Sequence, residues 1–251
     1  MDIQRTTCLA HSSQSAPPLH AVFVDLDNTL VKGSALFHVG RGLAAVGLVD
    51  RSAILRLAGM HLLYRLTGEQ PRMVRVARGR SLTVAAGLPV QELLEGAARV
   101  YDRVLAPRLW DGTLRLLTPH RAAGTPIWLA TAAPVEIARL VADRLGLSGA
   151  LGTHAEQRDG RWTGRLVGPV LHGPAKAAAV AELARREGWQ LAHCAAYSDS
   201  MADLPLLASV GHPVVVNPDR SLRRLAASQG WENYDFRSRP GFGPHHAVHT
   251  A

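Results

Sequence analysis

The sequence predicts an α/β fold: a parallel sheet wrapped by helices, with a large helical insertion after the first strand. Three observations carry this reading. Short β-branched and aromatic runs alternate with stretches of helical spacing. The runs end in acidic, hydroxyl or turn-forming residues, as strands do when they deliver side chains to the carboxyl edge of a sheet. About eighty residues, from Gly33 to Gly112, separate the first two runs, far beyond a βα connection of a few residues.

The first strand is Ala21-Val22-Phe23-Val24, and it runs into Asp25-Leu26-Asp27-Asn28-Thr29. Residues two apart on an extended chain share a side, and where the chain leaves the sheet Asp25 and Asp27 can converge on one small volume. Two carboxylates there repel each other unless a cation or a shared proton offsets the repulsion. A hard divalent cation such as Mg²⁺ suits them. One aspartate could then attack phosphorus while the other handles the leaving-group proton. A plainer alternative is a strand end whose acids cap the following turn.

The long segment that follows is rich in helix formers, with Ile54, Leu55, Ala58, Leu62 and Leu66 at helical spacing. It is expected to fold as a separate helical insertion, residues 33–112, that overhangs Asp25 and Asp27 as a lid. Residues 19–32 and 113–236 then form the core, between flexible tails at 1–18 and 237–251. The paired His245 and His246 belong to the second tail and are not read as ligands.

A second strand is expected over Pro126–Thr131, then a helix from Pro134 to Leu145 that stops at Gly146. A third strand near Ala150–Ala155 leads into Asp159-Gly160, a hairpin signal between extended segments. A helix from Pro174 to Glu187 stops at Gly188. His193–Tyr197 and Pro213–Val216 complete the core strands, with a helical Asp203–Ala208 between them.

Three further signals join the first. Thr131 ends a strand and opens a helix, so its hydroxyl and the first free amides could hold a phosphate; a structural N-cap is the alternative. Lys176 starts a later helix in a chain with only two lysines, Lys32 and Lys176, against 26 arginines. A compact ammonium fits beside a phosphoryl group and a carboxylate where a planar guanidinium would be too large. Ser198-Asp199-Ser200-Met201-Ala202-Asp203 sets two acids four residues apart at a strand end, both able to face one cation. Helix N-terminal charge complementarity would explain Asp203 but not Asp199.

Composition narrows the function classes. With 251 residues, 47% of them hydrophobic, the chain can bury a substantial core. The segment through Pro18 lacks the apolar stretch of a secretory signal, and no run of about 18 apolar residues suggests a membrane span, so a cytoplasmic location is expected. Cys8 and Cys194 are the only cysteines, which indicates neither a disulfide framework nor a thiolate metal site. The net charge of +8 could attract nucleic acid, an anionic membrane or acidic small substrates. Zinc-finger spacing, an aromatic RNA-binding stripe and a basic low-complexity tail are all missing, so no nucleic-acid partner is expected. Seven arginines and one acid lie between Arg51 and Arg80; within this segment Arg72, Arg75 and Arg78 are candidates for substrate recognition, the alternative being a solvated helix face.

Taken in order, Asp-x-Asp-Asn-Thr, the strand-end threonine, the lysine reached through Gly-Pro-Ala-Lys, and Asp-x-x-x-Asp resemble the haloacid dehalogenase superfamily of phosphohydrolases. The likeness is to subfamily IB, the phosphoserine-phosphatase-like branch with a helical cap inserted after the first motif, and covers Ala21 to Phe236. It implies a Rossmann-like core. It also implies that Asp25 is a nucleophile forming an aspartyl-phosphate, and that Asp27 protonates the leaving alcohol and later activates water. Mg²⁺ would be held by Asp25, the Asp27 carbonyl and Asp199, with Asp203 contributing directly or through water. Thr131 and Lys176 would bind phosphoryl oxygens, helped by amides near Asn28 and Thr29. Two departures stand out: Ala202 replaces a frequent asparagine, and Thr131-Ala132-Ala133 replaces a serine followed by glycines, which weakens transfer of phosphoserine specificity.

The leading expectation is a Mg²⁺-dependent phosphomonoesterase acting on a small phosphorylated metabolite of phosphoserine-like type. A lipid-phosphate phosphatase is the alternative within the same chemistry, because Ala53–Leu66 is apolar around most of its circumference and could suit peripheral membrane contact. A noncatalytic phosphate-binding module needs no nucleophile beside a proton carrier. Phosphotransfer to an acceptor other than water stays open, since a shielded site can exclude water.

Overall fold

The computed structural model describes residues 19–50 and 85–237. The apolar stretch Ala53–Leu66, the candidates Arg72, Arg75 and Arg78, Cys8, His245 and His246 lie outside them. Six parallel strands form the main sheet in the order β3-β2-β1-β6-β7-β8. They are β1 (Ala21–Val24), β2 (Ile127–Pro134), β3 (Gly149–Thr153), β6 (Cys194–Ser198), β7 (His212–Val216) and β8 (Glu232–Tyr234). β4 (Ala155–Arg158) and β5 (Arg161–Leu166) make a separate antiparallel hairpin.

Alternation along β1 sorts the core into two layers. Val22, Val24 and Leu26 face one side, with α1 (Ala35–Ala45), α2 (Val90–Val100), α3 (Asp111–Ala122) and α4 (Val135–Arg144) packed there through Val39, Leu43, Val100, Leu117, Ile137 and Val141. Ala21 and Phe23 face the other side, against α5 (Pro174–Glu187), α6 (Leu204–Leu207) and α7 (Arg220–Gln229) through Val180, Leu183, Leu207 and Leu222. A sheet covered on both faces needs near-continuous apolar strands, which is what Ala21–Val24 and Val214–Val216 supply. The described helices of the segment between β1 and β2 thus share one hydrophobic cluster with a face of the sheet. Two isolated bridges, Asp27 with Val31 and Val31 with Leu109, join the outgoing and returning chain beside β1.

Several expected boundaries move. β2 runs three residues past Thr131, and Pro134 serves as the N-cap of α4 rather than as its first helical residue. The fixed φ of Pro134 is paired with an extended ψ of 138°, which carries the strand to the helix without a loop. β6 is shifted one residue from the expected span, Leu191–His193 being a 3-10 turn. The expected helix over Asp203–Ala208 divides into a 3-10 turn, Met201–Asp203, and the short α6. The hairpin turn forms at Asp159 and Gly160, both with positive φ, as a two-residue turn matched to strand twist requires. α5 spans the expected residues and ends on Gly188 in the left-handed conformation.

Gly152 of β3 lies hard against the end of β2 and the start of α4: a Cβ there would stand 2.6 Å from Val135 Cα and 2.9 Å from the Ala133 carbonyl oxygen. Backbone atoms cannot rotate aside. Gly152→Ala should therefore destabilise the protein by about 1–3 kcal/mol, read as a lower denaturant midpoint in urea unfolding; an unchanged midpoint would mean that β3 can shift away at no cost.

Candidate active site

β1 sits where the sheet's connections reverse, with β2 on one side and β6 on the other; in open parallel sheets the crevice at such a point is where ligands bind. Val24 pairs with Leu129 and with Tyr197, so Asp25 leaves the sheet level with the end of β6, while β2 runs on to Pro134. Its amide still donates to the Tyr197 carbonyl at 2.9 Å. Asp25 is thus held by the last rung of the ladder.

The Lys176 ammonium lies between two carboxylates, 2.6 Å from Asp25 Oδ1 and 2.7 Å from Asp203 Oδ2. All three side chains are buried, Lys176 with 2% of its surface exposed. Lys176 stands in the first turn of α5, where the helix dipole disfavours a cation. Its N-cap, Gly173, has φ 55° and ψ −126°, a conformation only glycine adopts without strain. Burial opposes the ammonium charge, but the Asp25 and Asp203 charges outweigh it and hold Lys176 above its ordinary range.

Asp203 Oδ2 also accepts from the buried Ser198 hydroxyl at 2.8 Å, and its Oδ1 is buried with no hydrogen-bond partner among the described residues. The structure therefore puts Asp203 first on Lys176. Burial and the nearby Asp25 and Asp203 charges push Asp199 up to about 8. Asp25 is pushed up to about 7 by burial, against the pull of Lys176 and with the repulsion of Asp203 and Asp27.

Asp27 meets a different environment. Its Oδ1 accepts from the Ala35 amide at 2.8 Å, the first residue of α1, whose N-cap Ser34 accepts from Phe37. The N-terminus of α1 thus holds Asp27 through one carboxylate oxygen. Asn28 has φ 58°; its amide donates to the Gly33 carbonyl at 3.2 Å and its Oδ1 accepts from the Gly33 amide at 3.0 Å, so both groups close the turn. The Thr29 hydroxyl oxygen is buried without a hydrogen-bond partner among the described residues, and its carbonyl accepts from Thr113 at 2.7 Å. The Thr131 hydroxyl is buried beside β1 and accepts from the Ala133 amide at 3.2 Å.

Among the described residues no three His, Cys, Asp or Glu side chains form a ready metal cage. A cation here would draw on two carboxylates, a backbone carbonyl and water, a shell that Mg²⁺ accepts. Ser198 and Asn217 escaped the sequence reading as working residues. Ser198 stood inside the Asp199 motif, and Asn217-Pro218-Asp219 after a strand is a turn and N-cap signal. Asn217 is buried, has φ 50°, and donates from Nδ2 to the Asn28 carbonyl at 2.9 Å. No described helix is long and apolar enough to cross a membrane.

The model of the haloacid dehalogenase-like hydrolase family matches residues 22–208. The chain is 47% identical over 232 residues to the phosphoserine phosphatase SerB1 of Mycobacterium tuberculosis (strain ATCC 25618 / H37Rv), covering 91% of this chain and 75% of that protein. Its fold matches that of a protein with unknown function from Bordetella pertussis Tohama I with a TM-score of 0.77 at 27% identity, over 87% of this chain and 99% of the other. It also matches a phosphoserine phosphatase solved as a phospho-aspartyl intermediate analogue, with a TM-score of 0.63 at 16% identity, over 87% and 93% of the two chains. At that identity the likeness shows the fold alone.

Removing the ammonium should expose the repulsion it suppresses. In Lys176→Met, Asp25 and Asp203 face each other unpaired, at a cost of about 3–5 kcal/mol at neutral pH. The folded-state pKa of Asp25 then rises further above its unfolded value of about 3.9. A raised carboxyl contributes stability below the unfolded pKa and loses it as pH climbs through the folded pKa. The variant should thus lie closest to the parent near pH 4 and fall away towards pH 8, measured by urea unfolding in chelator. A pH-independent deficit would mean that lost packing, not charge, sets the cost.

Proposed function

The chain belongs to the haloacid dehalogenase-like hydrolase family and is a phosphatase, and we propose that it hydrolyses a small phosphomonoester through an aspartyl-phosphate on Asp25, with Mg²⁺ as cofactor. The observation that carries this reading is the unlike treatment of two neighbouring carboxylates. Asp25 is buried against Lys176 at the last rung of β1, while Asp27 is held by the N-terminus of α1. Lys176 opposes protonation of the buried Asp25, as a nucleophile requires, while the half-buried Asp27 is open to proton exchange with substrate and water.

The donor set fits a divalent cation. Asp25 is buried and Asp199 half-buried, the two repel each other and are pushed up to about 7 and about 8, and Asp203 Oδ1 is buried without a hydrogen-bond partner among the described residues. The Asp25 and Asp199 carboxylates and the Asp27 carbonyl would hold the ion, with Asp203 reaching it through water. Bound Mg²⁺ supplies positive charge that favours the ionised carboxylates and offsets charge on the transferring phosphoryl group.

The chain's own groups account for the remaining chemistry. An Asp25 oxygen bonds to phosphorus as the bond to the substrate's ester oxygen breaks, and the protonated Asp27 gives its proton to the departing alkoxide. Asp27 then takes a proton from water, whose oxygen attacks phosphorus, releasing phosphate and the Asp25 carboxylate. Lys176 and the Thr131 hydroxyl offer donors to the phosphoryl oxygens beside Asp25. Such fixed donors act where charge develops and cost no reorganisation.

We place the substrate among small phosphorylated metabolites of phosphoserine type, which the relative named a phosphoserine phosphatase supports. Residues 33–112 would serve as the lid, with Arg72, Arg75 and Arg78 reading the organic half of the substrate. Burial holds the His38 imidazole below its ordinary range, against its hydrogen bond with the Lys32 carbonyl and with the nearby Arg108 and Arg41 charges adding to the lowering.

Asp25→Asn should release no phosphate from any ester, and chelator should silence the parent enzyme; full turnover in either case would overturn the mechanism. Asp27→Asn should lose about 10²- to 10⁴-fold in kcat on alkyl phosphates. The loss should shrink on 4-nitrophenyl phosphate, whose leaving group departs without a proton. An equal loss on both esters would confine Asp27 to hydrolysis of the intermediate or to structure.

A further inference from the structure

The ladder between β1 and β6 ends at Val24 and Tyr197. Beyond it, the chain carrying Asp27 and the chain carrying Asp199 are separate loops, and both must keep their spacing for one phosphoryl group to meet them. Residues 217–219, just past β7, touch both loops. Asn217 Nδ2 donates to the Asn28 carbonyl at 2.9 Å, while its Oδ1 accepts from the Phe236 amide at 2.7 Å and its own amide donates to the Tyr234 carbonyl at 2.7 Å. Because one side-chain partner is a carbonyl and the other an amide, the carboxamide has a single satisfying orientation. The Asp219 amide donates to the Asp199 carbonyl at 2.9 Å, and Asp219 Oδ2 accepts from the Met201 amide at 2.9 Å. Its Oδ1 caps α7 through the Leu222 amide at 2.8 Å. Arg237 closes the bracket from outside, donating to the Pro218 carbonyl at 2.8 Å.

We propose that Asn217 and Asp219 are positioning residues for phosphate transfer, Asn217 setting the turn that carries Asp27 and Asp219 setting the loop that carries Asp199. This assignment rests on the reading of Asp25, Asp27 and Asp199 given above. Neither residue touches the reacting atoms; each acts through a main-chain group next to a working carboxylate. Such outer partners commonly cost 10- to 100-fold in activity or metal affinity when removed. The left-handed φ of 50° at Asn217 is a conformation that asparagine tolerates and glycine adopts freely, so the carboxamide can be deleted without straining the backbone.

The two arms predict different defects. Asn217→Asp keeps an acceptor for Phe236 but loses the donor to Asn28, and Asn217→Gly removes both bonds while retaining the backbone conformation. Both should lower kcat about 10- to 100-fold on alkyl phosphates, with KM within about threefold of the parent and a smaller loss on 4-nitrophenyl phosphate. This is the leaving-group signature of a displaced Asp27. Asp219→Ser keeps a hydroxyl to cap α7 but withdraws the acceptor from Met201. It should weaken Mg²⁺ binding to the metal-free protein by about 10-fold or more, read by titration calorimetry, with circular dichroism and the unfolding midpoint near those of the parent.

Equal losses on both esters in the two Asn217 variants, or unchanged kinetics with only a lower unfolding midpoint, would reduce Asn217 to a structural role. Parental Mg²⁺ affinity in Asp219→Ser would remove Asp219 from the assignment. Should Asn217→Asp not fold, Asn217→Gly decides. Turnover surviving in Asp25→Asn would instead sink the underlying mechanism, and that outcome is read from a separate variant.

Discussion

One buried ammonium organises this molecule's carboxyl edge. Lys176 bridges Asp25, from the first strand, and Asp203, from the turn after β6, residues 151 and 27 positions away along the chain. Desolvating three charged groups is expensive, and a buried ion pair repays that cost only with short, fully hydrogen-bonded geometry. The site supplies it through Gly173, which sets the entry of α5, and through Ser198, which occupies the second interaction at Asp203 Oδ2. The arrangement contributes little net stability. Its effect is to keep the Asp25 carboxylate from facing Asp203 and Asp199 uncompensated, and so to hold the proposed nucleophile beside an ammonium.

The sheet explains why so few residues suffice. With β1 central and all six strands parallel, every strand delivers its last residue to the same edge, and helices on both faces exclude water from the sheet below. Parity along β1 follows the same economy. Phe23 belongs to the layer that contains α5, and Asp25, two residues on, meets Lys176 from that helix. The apolar packing of the strand and the charge pairing at its end therefore have one geometric cause.

Much of this was legible in the sequence. Buried parallel strands read as continuous apolar runs, and Ala21–Val24 and Val214–Val216 do so; Pro174 and Gly188 bracket α5 because proline and glycine suit opposite ends of a helix. The scarcity of lysine singled out Lys176. Other features depend on partners remote in the chain. β8 is three residues of mixed polarity, a strand only because Val214–Val216 offers it an edge. No local pattern says that Asp203 should meet Lys176 before a metal, or that Asn217 should reach Asn28 across 189 positions. Helix α1 is also silent locally, since its importance lies in where Ala35 points.

That last contact bears on how one fold separates two chemically identical side chains. In the proposed mechanism the nucleophile must be ionised and poorly solvated when it meets phosphorus, and Asp25 has the burial for this, with Lys176 opposing the protonation that burial favours. A proton carrier must exchange with substrate and water, and Asp27 is less deeply enclosed, with a helix amide on one oxygen. Swapping the two environments would leave a well-hydrated nucleophile and a proton carrier pinned by an ammonium, each unsuited to its step. The division is therefore imposed by elements outside the Asp-Leu-Asp motif: α5 acting on the first aspartate, α1 on the second, and the bracket at residues 217–219 keeping their loops in register.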